Sequence, residues 1–443
     1  MAVDPGNFSS KRIRQRPGLR SGISGSVVAL GLGAMVAVAV LSGATAQGAT
    51  PVRVQVSAGV PISSDLLVAS TGLDQSGGTA LPGALSVLST TTNAVAKTIK
   101  VATDPVSLAA GASGTTAYLL GAGSDVDGLP GSLFSINVTT GVVGQGLSTG
   151  VSPQEVKIAP GGKTIYVLDA YDAATQQPSG YLVAVNALSF TATKPLKVAA
   201  GPTAMVLSPD GRSALVLGAS TMSLVNLSGQ QPKVTAQLAL QAYSAVITPS
   251  SKVAYIVGHS VPGPIEVIPM EISSGALLPA VMTGASVPAA LAISPNGQYV
   301  YVVGTPDPGL GATQGTVTVI STSTGKVQKT IDLGAYPKNN YWVVAVSPNG
   351  KTIYALGYGS ATQQGLVVPV VAATGKAGKA LPVGYNAGQI AFAANGKWAY
   401  VLDEGSQSGK TRSPGGVVPV NLSNNSVGKL VPVPAYAEVM AAG

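Results

Sequence analysis

The 443-residue chain has no cysteine, a single histidine (His259), and only 9% charged and 5% aromatic residues. Without cysteine there can be no disulfide framework, thiolate zinc site, iron–sulfur cluster or cysteine nucleophile. One imidazole cannot build a His-rich metal site within a chain. It would also be the sole base for a serine triad, and no G-x-S-x-G elbow accompanies it. No phosphate-cradling loop or Rossmann fingerprint is present. A soluble domain ordinarily carries about 25% charged residues, so this surface is not laced with salt bridges. The chain does have 46% hydrophobic residues, enough for a core, and 56 glycines. Abundant Gly, Ser, Thr and Val with few long amphipathic runs point to an all-β protein.

Residues 1–46 differ from the rest. Lys11, Arg12, Arg14, Arg16 and Arg20 precede an uncharged stretch from Ile23 to Leu41, then Ala44-Thr45-Ala46. That order is the n-region, h-region and A-x-A site of a secretory signal. The apolar stretch is also long enough to border on a membrane anchor of roughly 20 residues. The expectation is therefore an exported protein, extracellular, cell-surface or periplasmic, with 1–46 a signal peptide or an N-terminal anchor. Membrane contact is expected only through that segment, if it is retained. It holds five of the 25 basic and one of the 17 acidic residues, so half of the formal +8 lies there. The remainder is too weakly basic to suggest nucleic-acid binding.

From residue 61 onward the chain repeats itself. AVSPNGKTIYALG (345–357), AISPNGQYVYVVG (292–304), VLSPDGRSALVLG (206–218), KIAPGGKTIYVLD (157–169) and AFAANGKWAYVLD (391–403) nearly superimpose. VITPSSKVAYIVG (246–258) and LAAGASGTTAYLLG (108–121) follow the same phase. A unit reads as a small-residue strand, a tight Asn-Gly or Asp-Gly turn, a strand apolar on both faces, a loop, and two further strands. Asn or Asp before Gly supplies the positive φ that a tight hairpin needs. Apolar residues on both faces fit a sheet sandwiched between neighbouring blades. The pattern predicts a β-propeller of four-stranded antiparallel blades over 61–443, with 47–60 a linker or first strand. First strands fall near residues 106, 155, 203, 244, 289, 342, 388 and 436. The C-terminal YAEVMAAG (436–443) is thus predicted to complete the N-terminal blade and close a ring of eight. The competing readings are seven blades, or VRVQV (52–56) as leader of the first blade.

The stretch VYVVGTPDPGLGATQGTVTVISTSTGKVQKTIDLG (300–334) resembles the YVTN-type β-propeller repeat. It has a Tyr-Val strand, a Gly-rich loop, a T-V-x-V-I strand, a T-G-K turn and an isoleucine strand ending in Gly. The resemblance implies a propeller fold, often in exported or surface-layer-type proteins. The unit is also similar to the broader lactonase-like propellers, which include enzymes. The absence of a W-D dipeptide disfavours WD40. A propeller does not fix an activity.

The tight turns carry Lys163, Arg212, Lys252, Lys351 and Lys397, with Lys326 and Lys376 at the other hairpins. The long loops carry acids, so the disc should be polarised, and its basic face could meet an anionic envelope surface. On the loop face Tyr336, Trp342 and Tyr385 could stack on a sugar or peptide, with Asp307, Asp403 and Glu404 nearby. Asp125 and Asp127, joined by Asp169 and Asp172, are the candidate ligands for Ca²⁺, which wants clustered carboxylate and carbonyl oxygens. No other cofactor is expected. The tyrosines recurring on the second strands read as core, and His259 as a loop residue. Taken together, the residues favour a binding or scaffold module for an envelope protein or carbohydrate. The alternatives are a metal-dependent lactonase-like hydrolase and a purely structural surface protein.

Overall fold

The computed structural model describes residues 65–72, 81–101, 104–122, 130–172, 177–229, 231–260, 263–284, 287–305, 314–334, 339–359, 364–405, 415–434 and 436–442. Segments 1–46 and 47–60, including VRVQV, lie outside them, as do Asp125, Asp127, Asp307 and Tyr336. The backbones of Asp172 and Trp342 are described, their side chains not.

The described residues form eight antiparallel sheets and no helix. Blade 1 contains β1 (Asp65–Gly72), β2 (Leu81–Ser89) and β3 (Ala94–Val101). Blade 2 runs through β4 (Pro105–Ala110), β5 (Thr116–Gly121), β6 (Gly131–Asn137) and β7 (Leu147–Gly150). Blade 3 has β8 (Pro153–Ile158), β9 (Thr164–Asp172), β10 (Gln177–Asn186) and β11 (Leu196–Lys197). Blade 4 has β12 (Ala204–Leu207), β13 (Ser213–Leu217), β14 (Met222–Asn226) and β15 (Lys233–Leu238). Blade 5 is β16 (Gln241–Ile247), β17 (Val253–His259) and β18 (Glu266–Glu271). Its fourth position is held only by the bridges Met270–Leu277 and Val267–Val281. Blade 6 has β19 (Val287–Ile293), β20 (Tyr299–Thr305), β21 (Thr316–Ser321) and β22 (Lys326–Asp332). Blade 7 has β23 (Asn339–Val346), β24 (Thr352–Gly359), β25 (Gln364–Val371) and β26 (Leu381–Tyr385). Blade 8 has β27 (Gln389–Phe392), β28 (Trp398–Asp403), β29 (Gly416–Asn421) and β30 (Val431–Pro432).

The last strand, β31 (Tyr436–Ala442), pairs antiparallel with β1 from Leu66–Ala442 to Thr71–Tyr436. It therefore completes blade 1, as its phase in the repeat predicts. The leading strands pack in a closed cycle, β31 on β4, then β8, β12, β16, β19, β23, β27 and back to β31. Eight blades surround one axis, and β31 occupies the edge of β1 that VRVQV would otherwise take.

The repeat motif is explained by its turn. In S-P-N-G and S-P-D-G the serine hydroxyl donates to the Asn or Asp carboxamide or carboxyl oxygen, at 2.6 Å for Ser208–Asp210 and 2.8 Å for Ser347–Asn349. The same hydroxyl accepts the N–H that opens the second strand, 2.9 Å from both Ser213 and Thr352. The glycine that follows sits at φ 70° in Gly211 and 71° in Gly350, a region other L-residues reach only with strain. Ser251 takes that place at 58° in the degenerate unit of blade 5.

Sandwiching between blades accounts for the unbroken apolar second strands. Tyr301 and Val303 of β20 pack into the cluster shared with blade 7. Val300 and Val302, on the other side, pack into the cluster shared with blade 5.

Candidate functional site

The second strands of six blades carry a tyrosine packed against the next blade, and two of these reach its third-to-fourth turn. Where that turn offers asparagine, the hydroxyl is bonded: Tyr354 donates to Asn425 Oδ1 at 3.0 Å and Tyr400 to Asn93 Oδ1 at 2.6 Å. Burial pushes both phenols up to about 12. Tyr301 holds the same position in blade 6, but the residue of blade 7 that matches Asn425 is Gly375. Between these two blades lies a groove of about 460 Å³. It is lined by Asn296, Tyr299, Tyr301, Gln328, Lys329 and Asn349, with Pro295, Pro348 and Ala372 among the remainder. The two tyrosine rings sit 6.4 Å apart, tilted by 34°. Lys329 reaches across the groove's end, its Nζ donating to Ala372 O at 3.4 Å and Ala373 O at 3.3 Å. Lys97, its counterpart in blade 1, donates to Thr139 O at 2.7 Å.

Chemically, the groove offers aromatic surface, side-chain amides and one ammonium, with no carboxylate among the described lining. Ser294, the lining hydroxyl nearest to a nucleophile, donates to Asn296 Oδ1 at 2.7 Å and accepts the Tyr299 N–H at 2.9 Å. It belongs to the turn. No base among the described lining stands beside that hydroxyl.

On the opposite face the structure brings Tyr385, Asp403 and Glu404 together at the link between blades 7 and 8. Asp403 is 2% exposed, and its Oδ1 accepts N–H bonds from Tyr385 at 3.0 Å and Gly405 at 2.9 Å. Glu404 lies beside Gly388, and Tyr385 is 38% exposed. Asp169 holds the matching place at the link between blades 2 and 3. Its carboxylate accepts the N–H of Ser152 at 3.0 Å and of Tyr171 at 2.9 Å. Burial raises both carboxyls above the ordinary carboxylate range, and the backbone bonds pull them back only in part. The two acids thus fasten loops in separate blades. Asp172 pairs through its backbone with Gln177, and Trp342 lies in β23. Among the described residues no three His, Asp or Glu side chains converge as a metal cluster. His259 ends β17, its ring stacked on Tyr243 at 5.9 Å, with Nε2 3.1 Å from the Tyr243 hydroxyl and 3.2 Å from Gln241 Oε1.

A further set of polar side chains was not anticipated. On the leading strands Ser107, Glu155, Ser244 and Gln389 share one register and each accepts an N–H from the next blade's leading strand. The donors are Val156 at 3.1 Å, Met205 at 2.6 Å, Leu291 at 3.4 Å and Met440 at 3.0 Å. These edge N–H groups have no partner strand on the axis side, and the stitch satisfies them. Lys157 pairs with Glu155 at 3.0 Å.

The chain is an eight-bladed β-propeller. No protein-family model matches it, and no curated protein matches it by sequence. Solved structures do. The dihydro-heme d1 dehydrogenase NirN, in complex with DHE, aligns with a TM-score of 0.63 at 13% identity over 89% of this chain and 78% of its own. Sqt1 of Chaetomium thermophilum, bound to the N-terminus of ribosomal protein L10, gives 0.56 at 14% over 76% and 91%. A candidate 6-phosphogluconolactonase from Bacteroides uniformis gives 0.51 at 15% over 86% and 99%. At such identities the likeness is one of fold, and the three proteins differ in role.

Proposed function

We propose that the chain is an exported binding module of the cell envelope, built on a YVTN-type repeat, which takes an acidic saccharide in the groove between blades 6 and 7. The carrying observation is that groove: the half-buried Tyr299 ring for a sugar face, amides of Asn296, Gln328 and Asn349 for its hydroxyls, and Lys329 for its acid group. Export is supported by the order of charges, apolar stretch and A-x-A site at the N-terminus. A hydrolase reading draws on the likeness of the repeat to lactonase-like propellers and on one such neighbour in fold, while Asp169 and Asp403 are engaged by backbone N–H groups.

The test is titration of the purified protein with glucuronate and with glucose, followed by tyrosine fluorescence and calorimetry. Glucuronate should bind the more tightly, and Tyr299→Ala with Gln328→Ala should weaken it by about tenfold or more, the loss expected for a sugar-stacking ring and its polar partner. Equal or absent binding of both sugars would overturn the assignment. So would turnover of 6-phosphogluconolactone that depends on an added divalent cation.

A further inference from the structure

The tight turns between leading and second strands, and the turns between third and fourth strands, lie on one face of the ring. The carbonyl that follows each tight turn accepts the N–H just past the third strand. Examples are Lys163 O from Ala187, Arg212 O from Leu227, Lys252 O from Ile272, Lys351 O from Ala372 and Lys397 O from Leu422. That bond fixes the backbone and asks nothing of the side chain, as Thr115 and Gln298 show at the same position. Nevertheless the five residues just named are all cationic, and all are exposed.

Neighbouring tight turns also touch. A methyl placed on Gly211 would lie 3.3 Å from Pro160, one on Gly297 3.0 Å from Pro249, and one on Gly350 3.5 Å from Pro295. The Asp210 N–H donates to Ser251 Oγ at 3.1 Å. The cations therefore form an inner arc around the axis, joined outside by Lys326 and Lys376. The acids of this face among the described residues are Asp65, Asp210 and Glu271. Asp210 adjoins Arg212, and Glu271 accepts from Ser274 Oγ at 3.1 Å.

A second observation is independent of charge. Val142, Leu188, Leu277, Val327, Val371 and Val427 are exposed apolar residues in or beside the third-to-fourth turns of blades 2, 3, 5, 6, 7 and 8. Leu188 is 97% exposed and Val142 63%. Scattered surface leucines need no explanation; an apolar residue at the same turn of six blades, on the cationic face, does. The ring's first strand also begins on this face, where Asp65 pairs with Ser89, downstream of the uncharged stretch Ile23–Leu41.

We propose that the turn face docks on an anionic phospholipid surface, the lysine–arginine arc meeting the headgroups while the apolar turn residues enter the headgroup–acyl boundary. Cations alone would suit any polyanion; the apolar rim selects a bilayer, since a soluble polymer gains nothing from Leu188 and Val142. The saccharide groove opens on this same face, between the turns of blades 6 and 7, but the two proposals rest on different side chains, so either can fail alone.

The chain from Gln47 onward retains every strand of the closed ring, so binding measured with it comes from the ring and not from an N-terminal anchor. It should co-sediment with vesicles of phosphatidylglycerol and phosphatidylcholine in equal parts, and not with phosphatidylcholine alone, and high salt should release it. Lys163→Glu, Lys351→Glu and Lys397→Glu together should weaken binding by ~100-fold or more, each reversal removing an attraction of the usual size for a surface cation. Leu188→Asp with Val327→Asp should weaken it by about tenfold at an unchanged melting temperature, both sites being exposed. Equal binding to neutral vesicles, no binding to either, or an unchanged affinity in either variant would overturn the proposal. Displacement from the vesicles by soluble polygalacturonate would also overturn it, and would make the face a polysaccharide site.

Discussion

Removal of β31 is the sharpest test of ring closure. A chain ending at Pro434 loses Ala437, Val439 and Met440, which are 1%, 6% and 6% exposed. Burying a valine or methionine side chain contributes about 1.5–3 kcal/mol and an alanine methyl about 0.8, so the loss is about 4–7 kcal/mol before any hydrogen bond is considered. The truncation also bares the edge of β1 from Leu66 to Thr71, and it removes the Met440 N–H from Gln389 Oε1. At roughly 2.1 cal/mol/K per residue, a ring of this size has an unfolding entropy near 0.8 kcal/mol/K, so the melting temperature should fall by about 5–9 °C. Circular dichroism melts of the full and truncated chains measure this. A synthetic peptide YAEVMAAG added in trans should restore part of the loss by filling the vacant edge. A truncated chain that melts within about 1 °C of the full one would refute the reasoning. It would return VRVQV to contention as the strand that closes blade 1.

Other outcomes follow from individual contacts. Asp169→Asn should cost about 1–3 kcal/mol in denaturant titration, because its NH₂ group would face the N–H of Ser152 or Tyr171 and leave a buried donor unpaired. Asp403 binds its proton more tightly folded than unfolded, so stability should fall as pH rises from the ordinary carboxylate range through the raised folded pKa. Asp403→Asn should flatten that slope in a melting series. A double-mutant cycle of Tyr354→Phe and Asn425→Ala should give a coupling of about 1 kcal/mol, and zero coupling would remove the hydroxyl from the blade 7–8 interface. Gly350→Ala should cost about 1 kcal/mol for its positive φ alone. Gly150→Ala should cost more, because its new methyl would collide with the Asp169 carboxylate.

The fold was legible because its constraint repeats. S-P-N-G fixes where each leading strand turns, and a second strand apolar on both faces can be accommodated only between two blades. The leading strands expected near 106, 155, 203 and 289 begin at Pro105, Pro153, Ala204 and Val287. The C-terminal strand was legible by the same logic, since YAEVMAAG carries the phase of a leader and has no follower. Blade 5 shows where the pattern weakens. Ser251 replaces the turn glycine, and the fourth position is reduced to two bridges, although the spacing alone gives that unit the same weight as its neighbours.

The site was less legible because its decisive residues differ from the repeat by omission or by register. Gly375 is an ordinary T-G-K glycine in sequence. Its effect appears only beside Asn425 and Asn93, which fill the matching places and bond the tyrosine hydroxyls there. Asp169 and Asp403 stand out in sequence because other units have glycine at their position, and that departure marked them as candidates. The structure shows what the departure serves locally: Gly150 at φ 143° and Gly384 at φ 95° each lie against one of these carboxylates. Acid and glycine are then two halves of one link, and neither half is informative alone. The same holds for Glu155. A carboxylate in an inner strand suggests chemistry until the Met205 N–H of the next blade is placed 2.6 Å away. A propeller's axis is lined by strand edges, and an edge N–H without a partner strand needs an acceptor. Polar residues in the leading strands therefore count first toward closing the ring. The cations and apolar residues of the turns carry no such duty, because their backbone is already fixed by the turn bonds, and the proposed membrane contact rests on them.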